Sequence, residues 1–104
     1  MLTFSQALEL AETWVRIVTG DRCVILKKHT VKRPYGWVFF YQSREYVASG
    51  DSRYMVAGNA PILVDRVNAE IRVTGTADPL EKYLEQYEET ILPARMQISM
   101  PTEP

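Results

Sequence analysis

Hydrophobic residues recur with a helical period near both ends of the chain and with a strand-like period between them. The first apolar stripe has helical spacing and consists of Leu8, Ala11, Val15 and Val18. Thr3 and Gln6 precede it with the spacing of a capping box, in which each side chain accepts a backbone N–H of the other residue. Gly20 follows it as a helix-terminating residue. The pattern predicts a first helix over residues 3–19.

The second helical stretch lies near the end of the chain, over residues 79–91. Its apolar positions again share helical spacing, and they are Leu80, Tyr83, Leu84, Tyr87 and Ile91. Asp78 is suited to the N-cap position and Pro79 to the first helical position, where proline loses no hydrogen bond. Pro93 then ends the helix. The entry signals predict a helix that begins at residue 79.

Between the helices, residues 22–32 and 36–42 are predicted to form the first two strands. The segment from Trp37 to Tyr41 is apolar at every position. Such a strand is covered on both faces, or has one face in the core and the other in an interface. This segment is therefore the predicted central strand. Residues 43–57 are predicted to form a loop with one short strand or helical turn on either side of Gly50-Asp51.

A β-hairpin is predicted between Gly58 and Thr76. Pro61 precedes the apolar run of residues 62–64, and residues 70–74 alternate, with the apolar side chains on one face. The polar residues between the two runs form the turn, and Asn68 is expected in the left-handed conformation.

The predicted element order is α-β-β-(loop)-β-β-α. Strands joined by short turns pair antiparallel, so the strands form an antiparallel sheet. This order predicts a two-layer α+β fold, an antiparallel sheet of about four strands with two helices on one face. The expected boundaries are a single domain over residues 1–92 and a C-terminal tail over residues 93–104. Apolar residues alternate in the tail from Met96 to Met100, so it is an edge strand, a strand for a partner, or frayed.

The composition is that of one globular domain, with 104 residues, 46% hydrophobic and 24% charged. The single cysteine, Cys23, excludes an intrachain disulfide and fits a reducing compartment. It lies in an apolar strand pattern, which favours an inert buried thiol. We find no signal-peptide pattern and no apolar run long enough to span a membrane. These features predict a cytoplasmic protein with no membrane partner.

Charge is unevenly distributed along a chain whose formal net charge is −1. Residues 22–33 hold five Lys or Arg and no acid, whereas residues 78–89 hold five acids and one Lys. A basic run beside aromatic residues is typical of single-stranded nucleic-acid binding. The pI near 5.8 and the absence of an RNP-like or helix-turn-helix pattern count against it. We therefore predict no nucleic-acid partner.

The sequence offers few groups for catalysis. It has one histidine, His29, and one cysteine, so a conventional zinc site cannot be assembled. Phosphate-binding loops, G-x-S-x-G and H-E-x-x-H are absent. Its aspartates fall at predicted turns and caps. These observations predict no enzyme, no catalytic residue, no metal and no cofactor; an enzyme would require the fold to gather several carboxylates.

Tyrosines concentrate in the central turn and loop region, and tyrosine is enriched at the energetic centres of protein interfaces. The candidate partner-binding residues are therefore Tyr35, Tyr41, Tyr46, Asp51 and Tyr54. An alternative candidate is the acidic face of the second helix, with Glu85, Glu88 and Glu89, which would complement a basic partner. The simpler interpretation is that some of these tyrosines pack in the core with their hydroxyls at the surface.

Several segments resemble the YrhB-like, immunity protein 35 family over nearly the whole chain up to about Glu89. The resemblance lies in Gly36–Phe39, Ser43–Tyr46 and Ala57–Asp65, and in the helix entry Gly75–Leu84. The Gly-Asn-x-Pro strand entry and the Gly-Thr-x-x-Pro-x-x-x-Tyr helix entry are its most specific parts. This chain departs from the family at the hairpin turn, where Ala69 stands in place of an expected glycine.

The resemblance implies a bacterial immunity protein, encoded beside a polymorphic toxin that it binds and neutralises. It also implies a cytoplasmic, non-enzymatic binder without a cofactor, whose partner is the cognate protein toxin. The alternative is a general protein-binding or chaperone-like module that acts on several clients. A homodimer is also possible, because an apolar strand and an unmatched edge can pair across a two-fold axis.

Overall fold

The computed structural model describes residues 1–102 of the chain. The helices are α1 (Phe4–Val18), α2 (Arg44–Ser49), α3 (Leu80–Glu88) and α4 (Pro93–Met96). The strands are β1 (Cys23–Ile25), β2 (Val31–Arg33), β3 (Gly36–Phe39), β4 (Tyr41–Ser43), β5 (Ile62–Asp65) and β6 (Ile71–Val73). Short 3-10 turns cover Lys27–His29 and Ser52–Tyr54. Within the described residues, no helix is long and apolar enough to cross a membrane.

Helix α1 begins where the sequence predicts. The Thr3 N–H donates to the Gln6 side chain at 2.9 Å, and the Gln6 N–H donates to the Thr3 hydroxyl at 3.2 Å. This capping box satisfies two backbone donors that have no partner inside the helix. The prediction of a first helix with this cap is confirmed.

All strand pairs are antiparallel and form two sheets. The larger sheet has the order β2-β3-β5-β6, and β1 pairs with β4 in a two-stranded sheet. Only Phe40 separates β3 from β4, so residues 36–43 serve both sheets as one nearly continuous segment. The Leu26 N–H donates to the Phe40 C=O at 2.7 Å at this junction. The segment predicted to be central therefore connects the two sheets.

One face of the larger sheet packs against α1. Side chains two apart on a strand share a face, and Trp37 and Phe39 lie on this one with Ile62 and Val64. The residues of α1 buried against them are Phe4, Ala7, Ala11 and Val15. The Phe4 ring meets the Trp37 ring edge-on at 5.7 Å between centroids. This cluster is the larger of the two cores.

The opposite face packs against α3. Val38 and Leu63 point away from α1 and form a second core with Leu84 and Tyr87 of α3 and with Tyr35. The α+β class and the antiparallel pairing are confirmed, but the two helices cover opposite faces rather than the single face we expected. The reason is that β3 and β5 carry apolar side chains at consecutive positions, so each face needs its own cover.

Helix α3 begins one residue later than the sequence indicated. Pro79 occupies the N-cap position without a side-chain hydrogen bond, and the helix ends at Glu88. Asp78, the expected cap, instead lies 3.5 Å from the Lys82 ammonium, and its N–H donates to the Tyr83 hydroxyl at 3.1 Å. In the tail, α4 covers Pro93–Met96, and residues 96–102 form no strand, so of the three alternatives the edge strand is not found in the described part of the chain.

The turn between β5 and β6 places Ala69, not Asn68, in the left-handed conformation, with φ of 61°. The Asp65 carboxylate accepts the N–H of Val67 at 2.8 Å and of Asn68 at 3.4 Å. These bonds hold the first part of the turn, so the backbone reverses at the next residue. Glycine adopts this conformation without strain, whereas the Cβ of an L-residue such as alanine does not allow it freely.

Candidate partner-binding surfaces

Residues 44–59 form the tyrosine loop, which is held to β4 by the side chains of Gln42 and Ser43. The Ser43 hydroxyl accepts the Tyr46 N–H at 3.0 Å and donates to the Tyr54 C=O at 2.6 Å. Helix α2 precedes Gly50-Asp51 and a 3-10 turn follows it. Of the two alternatives predicted on either side of this dipeptide, a short strand or a helical turn, the structure has the helical turn on both sides.

Asp51 and Tyr54 lie together in this loop, on either side of Arg53. The Arg53 guanidinium donates to the Asp51 carboxylate at 2.6 Å and lies 5.9 Å from the centre of the Tyr54 ring. Hydrogen bonds from the Arg53 side chain and backbone lower the pKa of Asp51. Tyr54 is 43% exposed. The loop thus presents an aromatic ring beside an exposed ion pair.

Tyr35 and Tyr41 have core positions. Tyr35 is completely buried, and its hydroxyl donates to the Glu88 carboxylate at 2.9 Å. Tyr41 packs against the Trp14 ring at 6.1 Å between centroids. Burial raises the pKa of both tyrosines, with further contributions from Glu88 for Tyr35 and from Cys23 for Tyr41. Both residues support the fold beneath the surface rather than presenting a side chain on it.

The acidic candidates lie on α3. Glu85 and Glu89 are exposed, whereas Glu88 is half-buried against Tyr35. The structure does not bring this acidic face together with the tyrosine loop. The loop is anchored on β4, whereas α3 packs on the second core. The two candidate sets are therefore separate surfaces.

Sequence reasoning missed a third surface, an apolar groove between α1 and β6. Its apolar lining residues are Leu2, Leu10, Trp14, Ile17, Ala69 and Ile71. Ile17 is 66% exposed. The signal was present, because Leu10, Trp14 and Ile17 have the i, i+4, i+7 spacing of a second apolar stripe on α1. We call this surface the α1–β6 groove.

Asp65 is fully buried and links three elements. Its carboxylate accepts hydrogen bonds from the Tyr87 hydroxyl and the Arg95 guanidinium, which joins β5 to α3 and α4. Burial alone would raise the pKa of Asp65, but the bonds from Tyr87, Arg95 and the Val67 N–H outweigh it and lower the pKa. These contacts saturate the carboxylate, so this cluster stabilises the fold.

Acidic and metal-binding side chains are not gathered into a site in the described part of the chain. No group of three or more His, Cys, Asp or Glu side chains there could hold a metal ion. Asp51 and Asp65 each pair with a different arginine. Cys23 is buried. What these residues present is a small α+β domain whose exposed features are suited to contact with other proteins.

Comparison with known families agrees with this description. The model of the family Immunity protein 35 matches residues 5–89. The chain therefore belongs to the immunity protein 35 family, which confirms the resemblance in the sequence and supports an immunity role. The chain is 36% identical over 88 residues to YrhB of Escherichia coli (strain K12), covering 85% of this chain and 90% of that protein. No solved structure matches the chain.

Proposed function

We propose that this protein neutralises a cognate bacterial toxin by stoichiometric protein–protein contact in the cytoplasm. The observation that carries the proposal is membership of the immunity protein 35 family over residues 5–89. A protein that blocks a toxin by contact needs a specific, stable interface and no chemistry of its own. A rigid domain with two cores and several exposed surfaces suits this role.

Contact, rather than catalysis, is the proposed mechanism. The one cysteine is buried in the first core, and the one histidine ends the 3-10 turn Lys27–His29. Asp51 and Asp65 are already bound by arginines. None of these groups stands beside a second group that would activate it as a nucleophile or a general base, which supports action by binding.

The tyrosine loop is the proposed toxin-binding surface, with Tyr46, Asp51 and Tyr54 as its contact residues. An exposed tyrosine ring supplies apolar area and a hydroxyl at a low entropic cost, which is why tyrosine recurs at interface centres. The bonds from Ser43 hold the loop in place before binding, so less ordering is needed on contact. The acidic face at Glu85 and Glu89 is the alternative, suited to a basic toxin surface.

Survival on co-expression tests the proposed function. The toxin domain encoded beside this gene is expressed with and without this protein, and colonies are counted. We expect the toxin domain to kill and the protein to restore growth. Purification of the two proteins together should then give a complex of fixed stoichiometry.

The control pairs this protein with toxins of unrelated families. Rescue restricted to the neighbouring toxin supports the immunity function. Killing that persists while both proteins are expressed and folded would contradict it. Equal protection against unrelated toxins would instead favour a general protein-binding or chaperone-like module.

A further inference from the structure

The two edges of the larger sheet differ in charge. The β2 edge carries Lys32 and Arg33 and adjoins the basic turn Lys27–His29. Lysine and arginine on an edge strand oppose pairing with a second copy. The β6 edge has the sequence Glu70-Ile71-Arg72-Val73, in which one acid balances one base. The β2 edge therefore has the larger excess of positive charge, even though Arg33 pairs with Glu81 at 2.7 Å.

The backbone of β6 offers unpaired groups on its outer side. The Asp65 N–H donates to the Glu70 C=O at 2.9 Å, and the Thr74 N–H donates to the Pro61 C=O at 3.0 Å. In an antiparallel ladder, alternate residues face the neighbouring strand, so Ile71 and Val73 direct their N–H and C=O groups away from β5. Among residues 1–102, no strand pairs with this side of β6.

The side chains of β6 divide between the two faces of the sheet. Ile71 and Val73 lie opposite Val64 and Ile62, on the face that α1 covers. Val73 is 51% exposed, and Ile71 lines the α1–β6 groove. Glu70 and Arg72 lie on the other face, with the Arg72 guanidinium 4.9 Å from the centre of the Tyr87 ring. The open edge is thus apolar on one face and charged on the other.

We propose that β6 is a homodimer interface, in which a second copy of the chain pairs antiparallel with Ile71 on the two-fold axis. This axis runs perpendicular to the sheet, so both α1 helices lie on the same face and the two α1–β6 grooves meet. The four-stranded sheets join into one sheet of eight strands. The interface combines backbone pairing with apolar contact between the stripes of Leu10, Trp14 and Ile17.

Charge favours a second copy as the occupant and one register, because the Arg72–Glu70 pair at 2.7 Å within each chain can extend to pairs between the two copies. With Ile71 on the axis, Glu70 lies opposite Arg72 of the second copy, and the reverse pair forms by symmetry. Opposite charges directly across a strand pair stabilise it, whereas like charges destabilise it. A register centred on Arg72 would place two guanidinium groups side by side. The segment Glu70-Ile71-Arg72 is therefore self-complementary only about Ile71.

Sedimentation velocity of the wild type and of Glu70→Arg and Arg72→Glu tests this interface. We expect a concentration-dependent dimer for the wild type. Each variant places like charges opposite each other twice, so its dimer should dissociate about tenfold more readily, or more. An equimolar mixture of the two variants should form a heterodimer, because one presents two bases and the other two acids. Restoration in the mixture cannot come from a change within one protomer.

Lys32→Glu is the matched control, since it reverses a charge on the opposite edge and should leave the dimer intact. Ile17→Lys should weaken the dimer through the groove. A wild type that stays monomeric at near-millimolar concentration would overturn the proposal. A dimer that persists in both charge variants would overturn it as well. A monomer in which only toxin protects the Ile71 and Val73 amides from exchange would assign this edge to the toxin instead.

Discussion

At the scale of single residues, Ala69 has an unfavourable backbone conformation. Its φ is 61°, where the Cβ of an L-residue crowds the backbone and glycine does not. We expect Ala69→Gly to raise the free energy of unfolding by about 1 kcal/mol, since relief of strain exceeds the entropy that glycine loses on folding. Urea denaturation of the purified variant measures this difference.

Ala48→Gly is the control for that substitution, because it makes the same chemical change within helix α2. There the alanine has helical geometry, and glycine should destabilise the protein by roughly 0.5–1 kcal/mol. Opposite signs for the two variants are expected. Destabilisation by both would mean that the turn is not strained at Ala69.

The buried carboxylate of Asp65 predicts a dependence of stability on pH. Its pKa is lowered on folding, so its interactions stabilise the protein fully above about pH 4, the pKa of an unfolded aspartate. This stabilisation is lost as the pH falls through the lower pKa of the folded state. Arg95→Gln leaves the buried charge with fewer donors and should cost about 2–3 kcal/mol at neutral pH. The difference from wild type should shrink in acid, as Asp65 is protonated.

Arg53→Gln is the matched control for the Asp65 pair. It makes the same substitution in the Arg53–Asp51 ion pair, where the Arg53 side chain is exposed. Exposed ion pairs contribute little, so denaturation should be nearly unchanged. Equal losses for the two arginine variants, or a loss for Arg95→Gln that does not change with pH, would contradict the assigned role of Asp65.

The sequence predicts a hydrogen bond between two residues correctly where they lie within one helical turn of each other. The Thr3–Gln6 capping box needs only the two residues and the backbone between them, and its prediction is confirmed. Asp78 was misplaced because the Tyr83 hydroxyl and the Lys82 ammonium compete for its polar groups. No sequence signal pointed to the pairing of Asp65 with Arg95, since it joins residues 30 positions apart.

At the scale of elements, the pairing of β3 with β5 leaves no room for a side chain at Gly36. A Cβ on this residue would lie 2.0 Å from the Val64 carbonyl oxygen, and its φ of 154° is strained for an L-residue. The backbone of Val64 and of Arg66 surrounds this position and cannot move away without breaking the pairing of β3 with β5. We expect Gly36→Ala to destabilise the fold by more than about 3 kcal/mol, measured by thermal or urea unfolding.

Gly58→Ala separates the steric effect from the effect of backbone conformation. Gly58 has φ of 76° but open space where the Cβ would be placed. We therefore expect a cost of only about 1 kcal/mol. Similar costs at the two glycines would show that contact with β5 is not what limits residue 36.

The pattern of apolar positions predicted the strands of the core but not the faces that the helices cover. Consecutive apolar residues at Trp37, Val38 and Phe39 showed that both faces needed cover. Each helix has an apolar stripe that packs on the sheet, and neither of these stripes distinguishes one face of the sheet from the other. That choice depends on the connections after α1 and after β6, which hold contacts such as Cys23 N–H to the Thr19 hydroxyl and Asp78 N–H to the Tyr83 hydroxyl.

At the scale of the whole molecule, the two candidate surfaces lie on different parts of the fold, so variants can test them one at a time. A typical interface covers about 800 Å² on each partner, whereas the total surface is 6350 Å². Tyr46→Ala with Tyr54→Ala should weaken toxin binding by about 2 kcal/mol or more if the tyrosine loop is the site. Glu85→Lys with Glu89→Lys should then have little effect. Calorimetric titration of each double variant with the toxin measures both.

Glu12→Lys is the matched control for charge reversal, because Glu12 is exposed on α1. All variants should unfold like the wild type, so that a change in affinity reports on contact. Loss of binding only in the variant with Glu85→Lys and Glu89→Lys would show that the toxin binds the acidic face at α3. Unchanged binding with both double variants would exclude both surfaces.

The candidate site was only partly readable from the sequence. Tyrosine is common at protein interfaces, but it also packs well in a core. Tyr35 and Tyr41 are buried. The Tyr35 hydroxyl donates to the Glu88 carboxylate, which lies 53 positions later in the chain. Ser43 binds the backbone carbonyl of Tyr54 and not its side chain, which is exposed. Exposure therefore depended on contacts between distant segments.

The continuity of β3 and β4 has a consequence for amide hydrogen exchange. Residues 36–43 pair with β1, β2 and β5, and all of them except Phe40 are buried. An amide there that is bonded to a neighbouring strand is released only when that pairing opens, and this segment cannot leave without dismantling both sheets. Such amides should exchange only through global unfolding, at the rate set by total stability, whereas amides of the tyrosine loop should exchange through local opening. This one segment would then report the stability of the entire domain.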